Sequence, residues 1–292
     1  MTIVFALLSA LANAVNVSTQ HIASTSYPRK SKGWQLVVYL FKNPLWLFGW
    51  AALAAAFVFQ ALALHAGQLS VVQPLLVTEL VFALVLRRVW IQQAIRPVTW
   101  WSAALTGVSL SLFIAMSEPH GGHTSASSGT WIVASAAMVA SAALLTLLGR
   151  AGVPARRAAL TASATGIMWA LVATYIRAAD ETVSEFGAAG LFTHWPVYAL
   201  IAAGSSAVIL DQTAIHVGPL SMSQPFLVIV DPIVSVVLSV WIFAEYFTAD
   251  ALRLTLAVLA FAAMCVAVTV LTRTAPATME PTSATATAPG DA

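Results

Sequence analysis

The sequence predicts an all-α polytopic membrane protein. Nine transmembrane helices would form two inverted four-helix repeats joined by a linker helix (4+1+4). Three observations predict it. First, 60% of the 292 residues are hydrophobic and 8% are charged, against about 45–50% and about 25% in a soluble domain. Second, the apolar residues gather into nine segments near the length of about 20 residues that a helix needs to cross the hydrocarbon core. Third, one polar, proline-bearing phrase is written twice. HAGQLSVVQPLLV occupies residues 65–77 and HVGPLSMSQPFLV residues 216–228, with eight of thirteen positions identical at an offset of 151.

The nine segments fall at about 2–22, 44–66, 68–90, 99–116, 130–149, 157–177, 196–216, 218–243 and 251–272. Pro44, Pro97, Pro154 and Pro196 stand at or just before span starts, where the missing N–H of proline is tolerated. Trp46, Trp90, Trp100, Trp101, Trp131 and Trp195 sit near span ends, as an aromatic belt requires. Residues 34–42 are too short to cross and read as interfacial. The first segment imitates a signal peptide through its SALANA stretch but lacks the basic region in front. The repeat also needs it as a permanent span. The tail from Thr274 to Ala292 is rich in Ala, Thr and Pro and reads as disordered.

The basic residues sort by side. Loops 1–2, 3–4 and 5–6 together with the tail hold 11 of the 13, and only Arg177 and Arg253 fall on the other side. The positive-inside rule then puts the N-terminus outside and the C-terminus in the cytoplasm. An odd number of spans needs opposite termini, so count and charge agree.

The repeat extends beyond the phrase. Val85, Val89, Trp90 and Ile91 recur as Val236, Val240, Trp241 and Ile242, making twelve identities in 27 positions. Spans 1 to 4 pair with spans 6 to 9, and span 5 is left as a linker. Partners five spans apart cross the bilayer in opposite senses, an arrangement common among secondary transporters. The domains read as 1–116 for the first repeat, 117–156 for the outer loop, linker helix and inner loop, 157–273 for the second repeat, and 274–292 for the tail. Within the phrase, Pro74 and Pro225 fall a turn and a half into a helix, and Pro232 follows in span 8. A proline frees a backbone carbonyl and is expected to break or disturb each helix there. In lipid such a carbonyl must find a partner or line a polar cavity. Gln73, Gln224, Ser70 and Ser221 are placed either to line that cavity or to link helices.

Two polar stripes follow helical spacing. Span 1 carries Ser9, Asn13, Asn16 and Gln20, and span 8 carries Ser221, Gln224, Asp231, Ser235 and Ser239. Such stripes must face the protein interior. Three acids lie within spans with no Lys or Arg equally deep: Glu79, Asp211 and Asp231. Each costs about 2.5–3.5 kcal/mol at a helix centre, so they are expected to meet a cation, a proton or water. Glu79 and Asp231 are one residue out of register in the repeat. His120 and His123 form an H-x-x-H in a Gly/Ser-rich loop, a thin metal signal. Asp180, Glu181 and Glu185 form an acidic cluster that reads as a solvated loop. Cys265 is alone and reads as a small buried hydrophobe. No nucleophile with a base, Walker loop or dinucleotide fingerprint is present, so the chain reads as neither an enzyme nor a cofactor binder, and nothing points to nucleic acid.

The chain resembles the drug/metabolite transporter superfamily, whose members carry two inverted repeats of EamA type. The likeness rests on Pro44-Leu-Trp-Leu-Phe-Gly, the two H-x-G-x-L-S-x-x-Q-P phrases, Val230-Asp231-Pro232, and Trp241-Ile-Phe-Ala-Glu245. The last stretch is similar to the family's terminal Gly-Glu element, with Ala244 in place of Gly. Nine spans with an outside N-terminus look most like the NIPA-type, magnesium transporter-like branch. Arginine exceeds lysine ten to three, which fits a bacterial member in the inner membrane. The resemblance implies a permease with a central cavity. Its partners would be the lipid bilayer, a small-molecule or cation substrate and a second copy in a homodimer. Three functions stay open: a secondary transporter of a small metabolite or organic cation, coupled to ions or protons; a Mg²⁺ transporter; and a non-transporting scaffold or partner subunit.

Overall fold

The structure is a computed structural model. It describes the backbone except at residues 26–42, 91, 93, 122–125, 151–152, 218–219 and 275–292. The side chains at 21, 23–25, 212, 215–217 and 220–222 also lie outside the description. The interfacial stretch, the tail, His123 and most of the first basic loop are therefore not described.

The fold is all helical. Its elements are α1 (Thr2–Thr25), α2 (Pro44–Ala66), α3 (Leu69–Leu76), α4 (Glu79–Trp90), α5 (Pro97–Ser117), α6 (Ser128–Gly149), α7 (Pro154–Phe186), α8 (Gly190–Thr193), α9 (Pro196–Val217), α10 (Leu220–Phe243) and α11 (Ala251–Thr274). Eight stretches among the described residues are long and apolar enough to span a membrane, with α3 and α4 counted as one. In α9 the described apolar part is the shorter Pro196–Asp211. The predicted spans thus all fall on helices, and Pro44, Pro97, Pro154 and Pro196 open four of them.

The structure corrects three expectations, the first of them at a helix end. Span 6 is much longer than its apolar stretch, because α7 runs 33 residues from Pro154 to Phe186. Asp180, Glu181 and Glu185 therefore lie on a helix and not in a loop. Hydropathy sees only the apolar part, while Ala, Arg and Glu continue to favour helix beyond it. Gly187 ends the helix at φ 71° and ψ −179°, a positive-φ conformation that suits glycine.

The second and third corrections concern the prolines. Span 3 does break, but after Leu76, at a two-residue junction of Val77 and Thr78. Pro225 and Pro232 break nothing, since α10 is continuous from Leu220 to Phe243. Each proline removes one N–H from a helix that its neighbours hold in place, and such helices tolerate proline in membranes.

α7 is the central element. It packs against α6, α9 and α10, and 78% of its most apolar window is buried, against 17% for α6. α6 is therefore peripheral and turns most of its surface outward. α1 lies along α2, and α5 lies along α11. α3 packs on α10 and α1. Beyond the helices, Pro119–His120 (β1) and Tyr246–Phe247 (β2) make a short antiparallel pairing. An ion pair between Glu118 and Arg253 stands beside it.

Candidate functional site

Glu79 is the first residue of α4, directly after the junction. The junction forms because Val77 and Thr78 donate their N–H groups to the carbonyls of Pro74 and Leu75, three residues back, at 3.2 and 3.1 Å. Thr78 Oγ1 also donates to the Leu75 carbonyl at 2.7 Å. These tightened bonds take the place of the i→i−4 bonds that Val77 and Thr78 would make to Gln73 and Pro74. Glu79 Oε2 accepts a hydrogen bond from Asn13 Nδ2 of α1 at 2.5 Å. Glu79 lies within Coulombic range of both Asp211 in α9 and Asp231 in α10.

Asp231 is partly buried, and its Oδ1 accepts from Ser235 Oγ at 3.2 Å, one turn along the same helix. Its place is fixed by a close helix contact. A Cβ on Gly166 of α7 would lie 2.9 Å from the Leu227 carbonyl and 3.1 Å from the Asp231 nitrogen. Glu79, Asp211 and Asp231 are all of intermediate exposure. No ion pair joins any of them to a basic side chain among the described residues. Of the three acids, Glu79 has an amide donor and Asp231 a hydroxyl donor.

The polar stripe of span 1 divides its tasks. Ser9 donates to the Ala56 carbonyl of α2 at 2.8 Å, which is helix linkage. Asn16 is buried, its Oδ1 accepts from Gln20 Nε2 at 2.6 Å, and its Nδ2 reaches Asn13 Oδ1 at 3.5 Å. A chain of amides thus leads to Glu79. Gln73 is 2% exposed and Ser70 1%, and among the described residues neither the Gln73 Nε2 nor the Ser70 hydroxyl has a hydrogen-bond partner. Pro74, Pro225 and Pro232 are buried, and Gln224 is partly buried. The Ser221 side chain lies outside the described residues.

Among the described residues no group of three or more His, Cys, Asp or Glu is disposed to hold a metal ion. His120 Nδ1 is taken up by the Glu118 carbonyl and Thr248 Oγ1, at 2.8 and 2.9 Å. His65 Nδ1 meets Asp180 Oδ2 at 3.0 Å, near the end of α2.

Two residues that sequence reasoning left unassigned act at the first copy of the phrase. Glu245 is 1% exposed. Its carboxylate accepts from the Leu69 and Ser70 N–H groups, at 2.8 and 3.2 Å. These are orphan donors at the start of α3, where a negative charge is favoured. Arg177 Nη1 donates to the Leu64 carbonyl at 2.8 Å and to the Gly67 carbonyl, at the end of α2. Its guanidinium carbon lies 5.5 Å from the centre of the Phe243 ring. The one hint in the sequence was the Gly-Glu-like ending of span 8. Ala244 stands where that element has Gly, and it adopts φ 50°.

No family model and no solved structure matches the chain. An uncharacterized protein of Corynebacterium glutamicum is 28% identical over 248 residues, which cover 85% of this chain and 86% of that protein. The chain is a polytopic, all-helical membrane protein with a bacterial homologue.

Proposed function

We propose that the protein is a secondary permease of the drug/metabolite transporter type. Its cargo is a small solute such as a metabolite or organic cation, and coupling to protons or ions runs through Asp231 or Glu79. The observation that carries this reading is the trio of Glu79, Asp211 and Asp231. They come from three different helices, lie within Coulombic range through Glu79, and have no basic partner among the described residues. Acids held in this way inside a membrane protein belong to ion pathways and proton relays.

The two-repeat architecture has independent support in helix neighbours. α1 against α2 and α7 against α9 are corresponding pairs under the repeat, and α5 against α11 joins its two last members. Acids with no basic partner among the described residues favour a positively charged cargo.

A second reading is Mg²⁺ transport. Mg²⁺ keeps several waters and takes one or two carboxylates, so Glu79 or Asp231 with the amide oxygens of Asn13 and the glutamines would suit it. A thermal-shift screen of purified protein against amines, metabolites and divalent ions selects the ligand, because a ligand of the folded state raises Tm. Uptake into proteoliposomes then follows, with and without a proton gradient. Asp231→Asn should abolish uptake with a normal folded yield. Uptake at the unmodified rate in that variant would overturn the assignment. Mg²⁺ uptake without uptake of any organic solute would favour the second reading.

A further inference from the structure

The turn between α2 and α3 is gripped from both sides by the second half of the chain. Arg177 from α7 holds the carbonyls of Leu64 and Gly67, where α2 ends. Glu245, beyond α10, holds the N–H groups of Leu69 and Ser70, where α3 begins. Each charge meets the helix end of opposite partial charge. Arg177 also lies over Phe243, two residues from Glu245, so the two grips are parts of one contact.

We propose that Arg177 and Glu245 form a one-sided latch that keeps this end of the bundle shut, and that opening here frees the α2–α3 turn. The proposal rests on the permease reading, since a shut end matters only to a protein that opens. Two further observations support it. Directly beneath the grip, Ser70 and Gln73 lie one turn apart on α3, both buried and both with an unpartnered polar atom. Buried polar groups are nearly always bonded. Two orphans on one face fit a surface that meets water or cargo in a second conformation. The sequence also carries no charge at the matching positions of the first half. At the offset of 152 that pairs Pro44 with Pro196, Arg177 corresponds to Thr25, and at the offset of 151 Glu245 corresponds to Ala94, neither of them charged.

A cysteine reporter tests this without any cargo. Cys265→Ser removes the sole cysteine, and Ser70→Cys places a thiol under the latch. Native membranes of both orientations are treated with a membrane-impermeant maleimide. The parent reporter should label slowly. Glu245→Gln and Arg177→Gln should each label at least tenfold faster, and from one membrane face only. Thr2→Val is the control. Thr2 Oγ1 donates to the Ala66 carbonyl at 2.7 Å, so it touches the same turn from within the first half. It should leave labelling within twofold of the parent.

Monodisperse Glu245→Gln and Arg177→Gln variants that label within twofold of the parent overturn the latch. So does labelling from both faces, and so does a Thr2→Val rate equal to that of Glu245→Gln. If the neutral variants do not fold, Glu245→Asp carries the test: a rise of threefold supports the latch and no rise overturns it. The permease reading fails separately, through absent uptake in proteoliposomes with the labelling response intact.

Discussion

Spans 3 and 8 carry the same phrase and treat it differently. In span 3 the chain breaks three residues after Pro74 and restarts at Glu79. In span 8 it runs through Pro225 and Pro232 without interruption. The proline is therefore not what decides. At the offset of 151, Val77 and Thr78 correspond to Val228 and Ile229. Thr78 has a hydroxyl that closes on the Leu75 carbonyl and stabilises the junction, and Ile229 has none. The surroundings differ as well. α10 is clasped at Leu227 to Asp231 by Gly166 of α7, whereas α1, the corresponding neighbour of α3, contains no glycine. The common phrase supplies a weak point, and the residues after it and the helix beside it decide whether the weak point opens. Each acid then sits one residue from its counterpart, at a helix start in one half and inside a helix in the other.

Three substitutions would break or sharpen this contrast. The largest effect belongs to Gly166→Leu. Its side chain would enter space already held by the Leu227 carbonyl, with Val230 Cβ 3.0 Å from the glycine's Cβ position. Overpacking of this kind should lower stability by about 3 kcal/mol, read as unfolding in detergent. A stability equal to the parent would mean that the clasp does not hold α10. Next is Thr78→Ile, which installs the residue of the second copy. Loss of one hydrogen bond should cost about 1 kcal/mol. Amide exchange over Val77 to Leu80 should slow toward that of Val228 to Asp231 as helix extends across the junction. Unchanged exchange would place the cause of the break elsewhere. The smallest is Ala244→Gly. Ala244 ends span 8 at φ 50°, where a Cβ is strained, so glycine should raise stability by about 1 kcal/mol. A loss of stability would show that the Ala244 methyl packs better than it strains.

Much of this was legible in the sequence. The spans were, because apolar length has one meaning in a bilayer, and the prolines at helix starts marked their edges. The polar stripe of span 1 was legible as a face but not as a division of tasks. Ser9 bonds to α2 while Asn13 bonds to Glu79, a difference set by which neighbours the helix meets. The reach of α7 was hidden because its last turns are charged. The role of Arg177 could not be read, and that of Glu245 was hinted at only by the Gly-Glu-like ending of span 8. Their partners are backbone atoms up to 176 positions away, and a backbone carries no residue-specific mark.

The 33 residues of α7 have one further consequence. At about 1.5 Å per residue the helix is about 50 Å long, while the hydrocarbon layer is about 30 Å thick. A helix of that length exceeds the layer it crosses, and Glu185 and Phe186 are exposed at its end, where Phe186 stacks on His194. A spin label or a small binding protein attached there would act like the needle of a gauge, reporting tilts at the centre of the molecule from outside the bilayer.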